Sequence, residues 1–249
     1  MAKKKKKKQV LKVKNIMILL LILVSLGGLF YYAINMPIKN IYITGNDMIS
    51  DEEIFKLSGL DKYPSFLLTK KSEIKESLKK NEYIKEVKVT KKIGNIIELT
   101  IIEYQAVAIT LEEKVLLSNG ETLDNTYELN DVPILSNSIE NESIAKSFAK
   151  KFGNIKTNIL RQISQIEYSP VAVDEERFLL YMNDGNLVYI TLTKINKLNK
   201  YNRIKDKLNG QTGIIYLDSG DYVELKKEPS PEDVDNNLSK NSPSANNSE

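Results

Sequence analysis

Residues 38–54 read IKNIYITGNDMISDEEI, and this stretch predicts a strand, a turn and the start of a helix. Apolar and polar residues alternate over residues 38–44, as they do in a strand with one buried face. The Gly-Asn pair at residues 45–46 is a turn signal. Ser50 and Glu53 have the spacing of a capping box, in which each side chain satisfies a backbone N–H at the other's position. A helix is therefore predicted to begin directly after Ser50.

The residues that follow predict a second helix and two further strands. Apolar residues recur at helical spacing up to Gly59 and again over residues 72–78. Apolar and polar residues then alternate over residues 86–90 and 97–101, with a turn between these two segments. Residues 37–103 therefore carry the element order β-α-α-β-β, which is an α+β arrangement.

Four short motifs run along this β-α-α-β-β segment. They are I-x-I-x-G-N at residues 41–46, S-x-x-E-I at 50–54, Y-I-x-x-V-x-V at 83–89 and I-x-E-Y-x-A-V-A at 101–108. In this order the motifs resemble those of a POTRA domain of the FtsQ/DivIB type. The resemblance implies a POTRA domain over residues 37–103, in a family of bacterial cell-division proteins.

Residues 104–225 predict a second, β-rich domain that also contains helices. Turn signals between apolar runs predict three hairpins, with their turns at residues 119–120, 183–186 and 218–221. Apolar residues have helical spacing over residues 143–149 and 195–208. The segment resembles the β domain that follows the POTRA domain in the FtsQ/DivIB family. Residues 226–249 contain almost no apolar side chains, and we expect this tail to be disordered.

A single transmembrane helix is predicted over residues 15–36, which contain no charged residue. Its apolar run, residues 16–34, would be about 28 Å long as a helix, close to the thickness of about 30 Å of the hydrocarbon core. Residues 1–14 form a basic tail with eight lysines and no acid. Because lysine is retained on the cytoplasmic side of the cell membrane, we expect the N-terminus inside and everything after Pro37 outside.

Two other interpretations of the N-terminal region are open. A cleaved signal peptide would have a shorter apolar run, of about 7–15 residues, and a small-x-small cleavage site. The run here is longer and residues 31–35 (YYAIN) are a poor site, so we interpret the helix as an anchor. Membrane topology and attraction to anionic lipid explain the lysine run at residues 3–8, so we expect no nucleic-acid partner.

Composition excludes several classes of enzyme. The chain contains no Cys, His or Trp, which rules out disulfides, thiolate sites, Ser-His-Asp triads and His-ligated zinc. A glycosidase would need two carboxylates across a cleft, and the candidates lie on different predicted strands and turns: Glu98, Glu103, Glu167 and Asp174. We expect Glu103 to pair with a neighbouring lysine. The sequence predicts no catalytic residue, no metal site and no cofactor.

The family resemblance also implies a function and partners. It implies a non-catalytic, single-pass scaffold of the division machinery that is concentrated at the septum and supports septal peptidoglycan synthesis. The implied partners are small single-span division proteins of the FtsL and DivIC/FtsB type and, indirectly, the septal peptidoglycan synthase. The alternative is a membrane-anchored POTRA protein of secretion or envelope assembly, which would receive a translocating polypeptide.

The resemblance places the partner surface on the last two strands of the β domain, whose edge can offer main-chain hydrogen bonds to a partner strand. The expected binding residues are Tyr216, Leu217, Ser219, Gly220 and Tyr222. The family often has an arginine just ahead of the Ser-Gly pair. This chain has Ile-Tyr-Leu at residues 215–217, so we expect no arginine–carboxylate pair there. The competing interpretation is a closing hairpin with no binding role.

Overall fold

The computed structural model describes residues 13–226, which form two compact units on either side of the Glu103–Tyr104 bond. An apolar helix comes first, a small α+β unit follows, and a β-rich unit with helices completes the described chain. This confirms the predicted fold class. Residues 1–12 of the basic tail and residues 227–249 of the tail that we expect to be disordered lie outside the described residues.

The first helix, α1, spans Val13–Ile34 and is almost entirely apolar after Lys14 and Asn15 in its first turn. An 18-residue window of this 22-residue helix has a mean hydropathy of 2.4, and none of the helix is buried against the rest of the chain. The helix is long and apolar enough to cross a membrane. An exposed helix of this composition fits a single-pass membrane protein, because water would otherwise contact a large apolar surface.

The remainder of the first unit is a three-stranded sheet covered by two helices. Its elements are β1 (Asn40–Thr44), α2 (Asp51–Leu57), α3 (Lys71–Leu78), β2 (Ile84–Lys92) and β3 (Ile96–Glu103). The strand order is β1-β3-β2, with β1 parallel to β3 and β2 antiparallel to it. Alternation along the strands buries one apolar face against the helices, and the buried side chains include Ile54, Ile74, Leu78, Val87, Ile97, Leu99 and Ile101. Ser50 caps α2 by accepting the Glu53 N–H, as the capping-box spacing predicts.

The loop between β1 and α2 is fixed by Glu103, the last residue of β3. Its carboxylate accepts hydrogen bonds from the backbone N–H groups of Asp47, Met48 and Ile49, at 2.9–3.0 Å. The prediction of a lysine partner was therefore wrong, because the strand end brings the carboxylate over three unpaired backbone donors. Hydrogen bonds to an ionised acceptor are about twice as strong as neutral ones. Glu103 thus ties the end of this unit to its first loop.

Gly45→Ala is expected to lower the free energy of unfolding by about 2–4 kcal/mol. Gly45 has a φ of +85°, and a Cβ there would lie 2.4 Å from the backbone oxygen of Ile101. Gly59→Ala is the matched control, because Gly59 has a φ of +69° but open space around its Cβ position. Backbone strain alone costs about 1 kcal/mol. Urea unfolding followed by circular dichroism measures both losses, and equal losses would contradict the steric argument.

The second unit is built on one nine-stranded sheet. The strand order is β12-β11-β10-β9-β8-β7-β4-β5-β6, so the sheet ends at β12 on one side and at β6 on the other. The strands are β4 (Ala106–Ile109), β5 (Lys114–Leu117), β6 (Thr122–Asp124), β7 (Ile134–Leu135), β8 (Ile163–Tyr168), β9 (Arg177–Met182), β10 (Leu187–Thr191), β11 (Gly213–Tyr216) and β12 (Tyr222–Leu225). The three predicted hairpins are present as the antiparallel pairs β5–β6, β9–β10 and β11–β12.

Helices supply the other half of the core of the second unit. They are α4 (Glu142–Phe152), α5 (Thr157–Leu160), a 3₁₀ helix (Leu192–Lys200) and α6 (Tyr201–Lys207). Phe148 and Phe152 of α4 pack against Phe178 of β9, with ring centroids 5.0 and 5.9 Å away, and against each other at 4.4 Å. Tyr201 is completely buried in the same core. This packing leaves β12 at the edge of a well-supported sheet.

The segment predicted as one helix over residues 195–208 is a 3₁₀ helix followed by α6. Leu192, Ile195, Leu198 and Tyr201 are all buried, and they follow one another at intervals of three residues. Side chains three residues apart eclipse one another in a 3₁₀ helix, so this spacing directs all four into the core. The spacing of four residues from Ile204 to Leu208 then suits an α-helix.

A candidate partner-binding edge

The edge strand β12 turns the backbone groups of two of its residues away from β11. Lys226 donates its N–H to the carbonyl of Thr212 at 2.9 Å, which makes these two residues a hydrogen-bonded pair. Such pairs alternate along antiparallel strands, so the pairs Ile214–Glu224 and Tyr216–Tyr222 are hydrogen-bonded as well. Val223 and Leu225 lie between these pairs. Their N–H and C=O groups therefore point outward, where another strand could accept and donate hydrogen bonds.

Aromatic side chains line one face of the sheet next to this edge. The ring of Tyr222 stacks on Tyr216 with centroids 4.5 Å apart, and Tyr216 stacks on Tyr189 at 5.4 Å. The guanidinium of Arg177 lies 3.8 Å from the centroid of Tyr189. The column crosses four strands and ends at Tyr222, which is 51% exposed. Stacked cross-strand pairs of this kind stabilise the strand pairing.

The structure places the five predicted binding residues in three different settings. Tyr222 lies on β12 itself, and Ser219 and Gly220 are exposed in the turn before it. Tyr216 lies on β11, between β10 and β12, where its ring belongs to the aromatic column. Leu217 is only 4% exposed and packs in the core. Its side chain thus supports the edge from within and does not line it, because alternation directs it towards the helices.

Sequence patterns did not identify Val223 and Leu225, the two residues whose backbone groups point outward. Leu225 is 44% exposed, and Val223 is partly buried against the core. The alternation of a hairpin determines which backbone groups face outward only after the register is known. The turn at residues 218–221 is the signal for that register, because it pairs Tyr216 with Tyr222.

Arg177 of β9 forms an ion pair with Asp218 in the closing turn. The Arg177 Nε lies 2.7 Å from the Asp218 carboxylate, and the two side chains are 16% and 9% exposed. The prediction of no arginine–carboxylate pair at this turn was therefore wrong, because the arginine comes from a strand 41 residues earlier. Burial opposes ionisation of the Asp218 carboxylate, but hydrogen bonds from Arg177 and Ser219 outweigh it and lower the pKa of this group.

Asp218→Asn is expected to make the chain less sensitive to acid. Because the pKa of Asp218 is lower in the folded chain than in the unfolded one, its contribution to stability is present above about pH 4 and is lost below it. We expect the variant to be less stable than the parent by about 1–3 kcal/mol near pH 6. The difference in free energy of unfolding between parent and variant should become smaller as the pH approaches 3. Urea unfolding at several pH values measures it, and a gap independent of pH would contradict the assignment.

The remaining candidate carboxylates each have a partner that gives them a structural role. Glu98 pairs with Lys92, and Glu167 accepts a hydrogen bond from the hydroxyl of Tyr181. Asp174 accepts the hydroxyl of Thr191 and the N–H of Glu176. Within residues 13–226 there is no group of three or more acidic side chains placed to hold a metal ion.

Comparison with known proteins agrees with this architecture. The family model described as "POTRA domain, FtsQ-type" matches residues 36–104. The cell division protein DivIB of Bacillus subtilis strain 168 is 31% identical over 194 residues, which cover 75% of this chain and 73% of that protein. DivIB of Brevibacillus brevis is 32% identical over 213 residues, 81% of this chain and 80% of that protein. The chain belongs to the FtsQ/DivIB family. As a DivIB homologue it has a role in cell division, and the predicted POTRA domain is confirmed.

The DivIB relatives extend across both units of the chain. DivIB of Geobacillus kaustophilus is 29% identical over 210 residues, again about four-fifths of each protein. The similarity is therefore not confined to the POTRA domain at residues 36–104. Matches of this length must include much of the β-rich unit.

Proposed function

We propose that this FtsQ/DivIB-family chain is a non-catalytic, single-pass scaffold of the division machinery whose β12 edge binds a partner strand. The partners are small single-span division proteins of the FtsL and DivIC/FtsB type. Through them the chain supports the septal peptidoglycan synthase. The observation that carries the proposal is the outward direction of the Val223 and Leu225 backbone groups at the end of a nine-stranded sheet.

The edge has the properties that strand addition requires. Ile215 and Leu217 are buried, so the core anchors β11, the strand on which β12 rests. Residues 222–225 contain no proline, and the register of β12 with β11 is continuous. Proline and bulges are the usual means of blocking a sheet edge. Main-chain hydrogen bonds to such an edge would provide affinity, and the alternating side chains of the partner would provide specificity.

The proposed orientation puts both folded units outside the cytoplasmic membrane. Seven lysines precede α1, an eighth (Lys14) lies in its first turn, and no acid lies among them. Lysine-rich flanks stay on the cytoplasmic side. The β12 edge then faces the compartment in which peptidoglycan is built. A scaffold that links membrane-anchored partners to the synthase needs its binding edge on that side.

Localisation in dividing cells tests the proposed role. A fluorescent protein fused to the N-terminus of the full chain is expected to give a band at mid-cell. A fusion that carries only residues 1–36 is the control and should label the membrane evenly. A uniform rim for the full chain would contradict the septal scaffold and favour secretion or general envelope assembly.

A further inference from the structure

A groove runs along the β12 edge on the helix side of the sheet. It lies between α6 with the preceding 3₁₀ helix and the hairpin β11–β12, and its volume is about 450 Å³. The floor is apolar and is formed by Ile204, Leu208, Ile215, Leu217 and Val223. The rim is mostly basic, with four cations and one acid: Lys197, Lys200, Arg203, Lys207 and Asp221. A site with an apolar floor and a cationic rim selects an occupant that combines an apolar group with negative charge.

Most of the positive charge on this rim is not neutralised within the described chain. Lys197 pairs with Asp221 at 2.5 Å. Lys200, Arg203 and Lys207 are exposed and form no ion pair with an acidic side chain of residues 13–226. Three neighbouring cations repel one another, so an acidic partner both gains attraction and relieves this repulsion.

The groove and the open backbone groups of β12 belong to the same docking surface. Val223 turns its N–H and C=O outward, while its side chain lies on the helix side and lines the groove. A strand that pairs with β12 would place every second side chain on that same side, above the groove. The intervening side chains would lie beside Tyr222, on the aromatic face.

We propose that the partner segment that pairs with β12 is acidic on its groove side, with an apolar side chain in the groove and carboxylates beside Lys200, Arg203 and Lys207. The inference rests on the proposed function and adds the chemistry of the partner. The acidic residues that follow β12 in this chain are a less suitable occupant. Pro229 and Pro231 lie at the start of that tail, and proline cannot donate to a strand ladder.

Photo-crosslinking of the full chain in cells tests the proposal. The probe p-benzoylphenylalanine replaces Lys200 or Lys207 in the groove, Tyr222 at the edge, or Lys75 on the exposed side of α3 as a control. Mass spectrometry then identifies the crosslinked segment. We expect Lys200, Lys207 and Tyr222 to give the same partner segment, with carboxylates at alternate positions, and Lys75 to give none of it.

The other outcomes separate this inference from the proposed function. A crosslink from Tyr222 without one from the groove would keep the edge as a binding site and overturn the acidic segment. A groove crosslink to a segment without carboxylates, or to residues 227–249 of the same chain, would also overturn it. Failure at both Tyr222 and the groove would reject the proposed edge itself.

Charge reversal provides a quantitative second measurement. The triple variant Lys200→Glu, Arg203→Glu, Lys207→Glu is expected to reduce the Tyr222 crosslink about tenfold. The variant Lys75→Glu, Lys79→Glu, Lys80→Glu makes the same change in net charge on exposed residues of the first unit and should leave the crosslink unchanged. Because all six residues are exposed, both variants should fold. Equal crosslinking in the two variants would overturn the role of the basic rim.

Discussion

Val223→Pro is expected to abolish capture of a DivIC-type partner by the full chain while the chain stays folded. Val223 points its N–H away from β11, so proline removes a donor that the hairpin itself does not use. The loss of that hydrogen bond, together with the restricted φ and the bulk of the ring, should weaken binding by about 100-fold or more. The measurement is pull-down of the purified partner by detergent-solubilised chain, with circular dichroism to confirm folding.

Two further substitutions show why Val223 is the informative position. Val223→Thr keeps the N–H and the branched Cβ, so it should retain binding and serves as the control. Tyr222→Pro would remove a hydrogen bond within the β11–β12 hairpin. Leu217→Pro would remove the 2.8 Å hydrogen bond from the Leu217 N–H to the Tyr189 carbonyl. Those two variants test the fold. A folded Val223→Pro chain that captures the partner at full strength would place the interface elsewhere, with the first unit as the next candidate.

Asn186→Ala is expected to lower the free energy of unfolding of the second unit by about 3–4 kcal/mol. Asn186 is 2% exposed, and its amide oxygen accepts the N–H of Gly213 at 2.9 Å. Its amide nitrogen donates to the carboxylate of Asp184 and to the hydroxyl oxygen of Tyr201, both at 3.0 Å. Alanine leaves the buried N–H of Gly213 without a partner, and it also creates a cavity.

The same hydrogen-bond network connects Asn186 to the charged side chains of Asp184 and Lys205. The Tyr201 hydroxyl donates to the Asp184 carboxylate at 2.8 Å, and burial together with this hydrogen bond raises the pKa of Tyr201. Lys205 completes the group through an ion pair with Asp184 at 3.1 Å. Removal of one member of a buried network therefore affects the others, which is why we expect a loss larger than one hydrogen bond would give.

Urea unfolding followed by circular dichroism measures the effect of Asn186→Ala. Asn202→Ala is the matched control, because Asn202 is exposed on α6 and should lose less than about 0.5 kcal/mol. Since Gly213 begins β11, hydrogen exchange should also become faster at β11 and β12 in the Asn186 variant. A loss of less than about 1 kcal/mol would show that the network contributes little to stability.

Local patterns in the sequence predicted those elements whose causes are themselves local. The β-α-α-β-β order follows from alternation and from the Ser50 cap, and the β9–β10 hairpin follows from its Asn-Asp-Gly-Asn turn. The sequence could not give the second role of that turn, in which Asp184 and Asn186 contact α6 and β11. The pair Arg177–Asp218 was equally hidden, since its members lie on separate elements. Such contacts depend on strand order, which short-range patterns do not encode.

The sequence also could not predict the very short strands. β7 has two residues and pairs in parallel with both β4 and β8, so it carries no alternation long enough to detect. Its position decides that β4 joins the sheet of the second unit. The prediction of the binding surface had a different limit. The sequence predicted the strand but not which of its residues direct their backbone groups outward.

The order of strands along the chain has a consequence for biosynthesis. β12 is the last strand of its sheet to be synthesised, and on the proposed orientation it is also the last to be exported. Until residues 222–225 arrive, β11 is the outermost strand, and it presents the backbone groups of Ile214 and Tyr216 instead. The residues with open backbone groups on β11 have their side chains on the aromatic face, whereas those on β12 have theirs on the helix side. An unfinished chain therefore cannot offer the edge that the finished chain offers. If the β12 edge binds a partner as proposed, competence to bind is acquired only when the whole β-rich unit has been made.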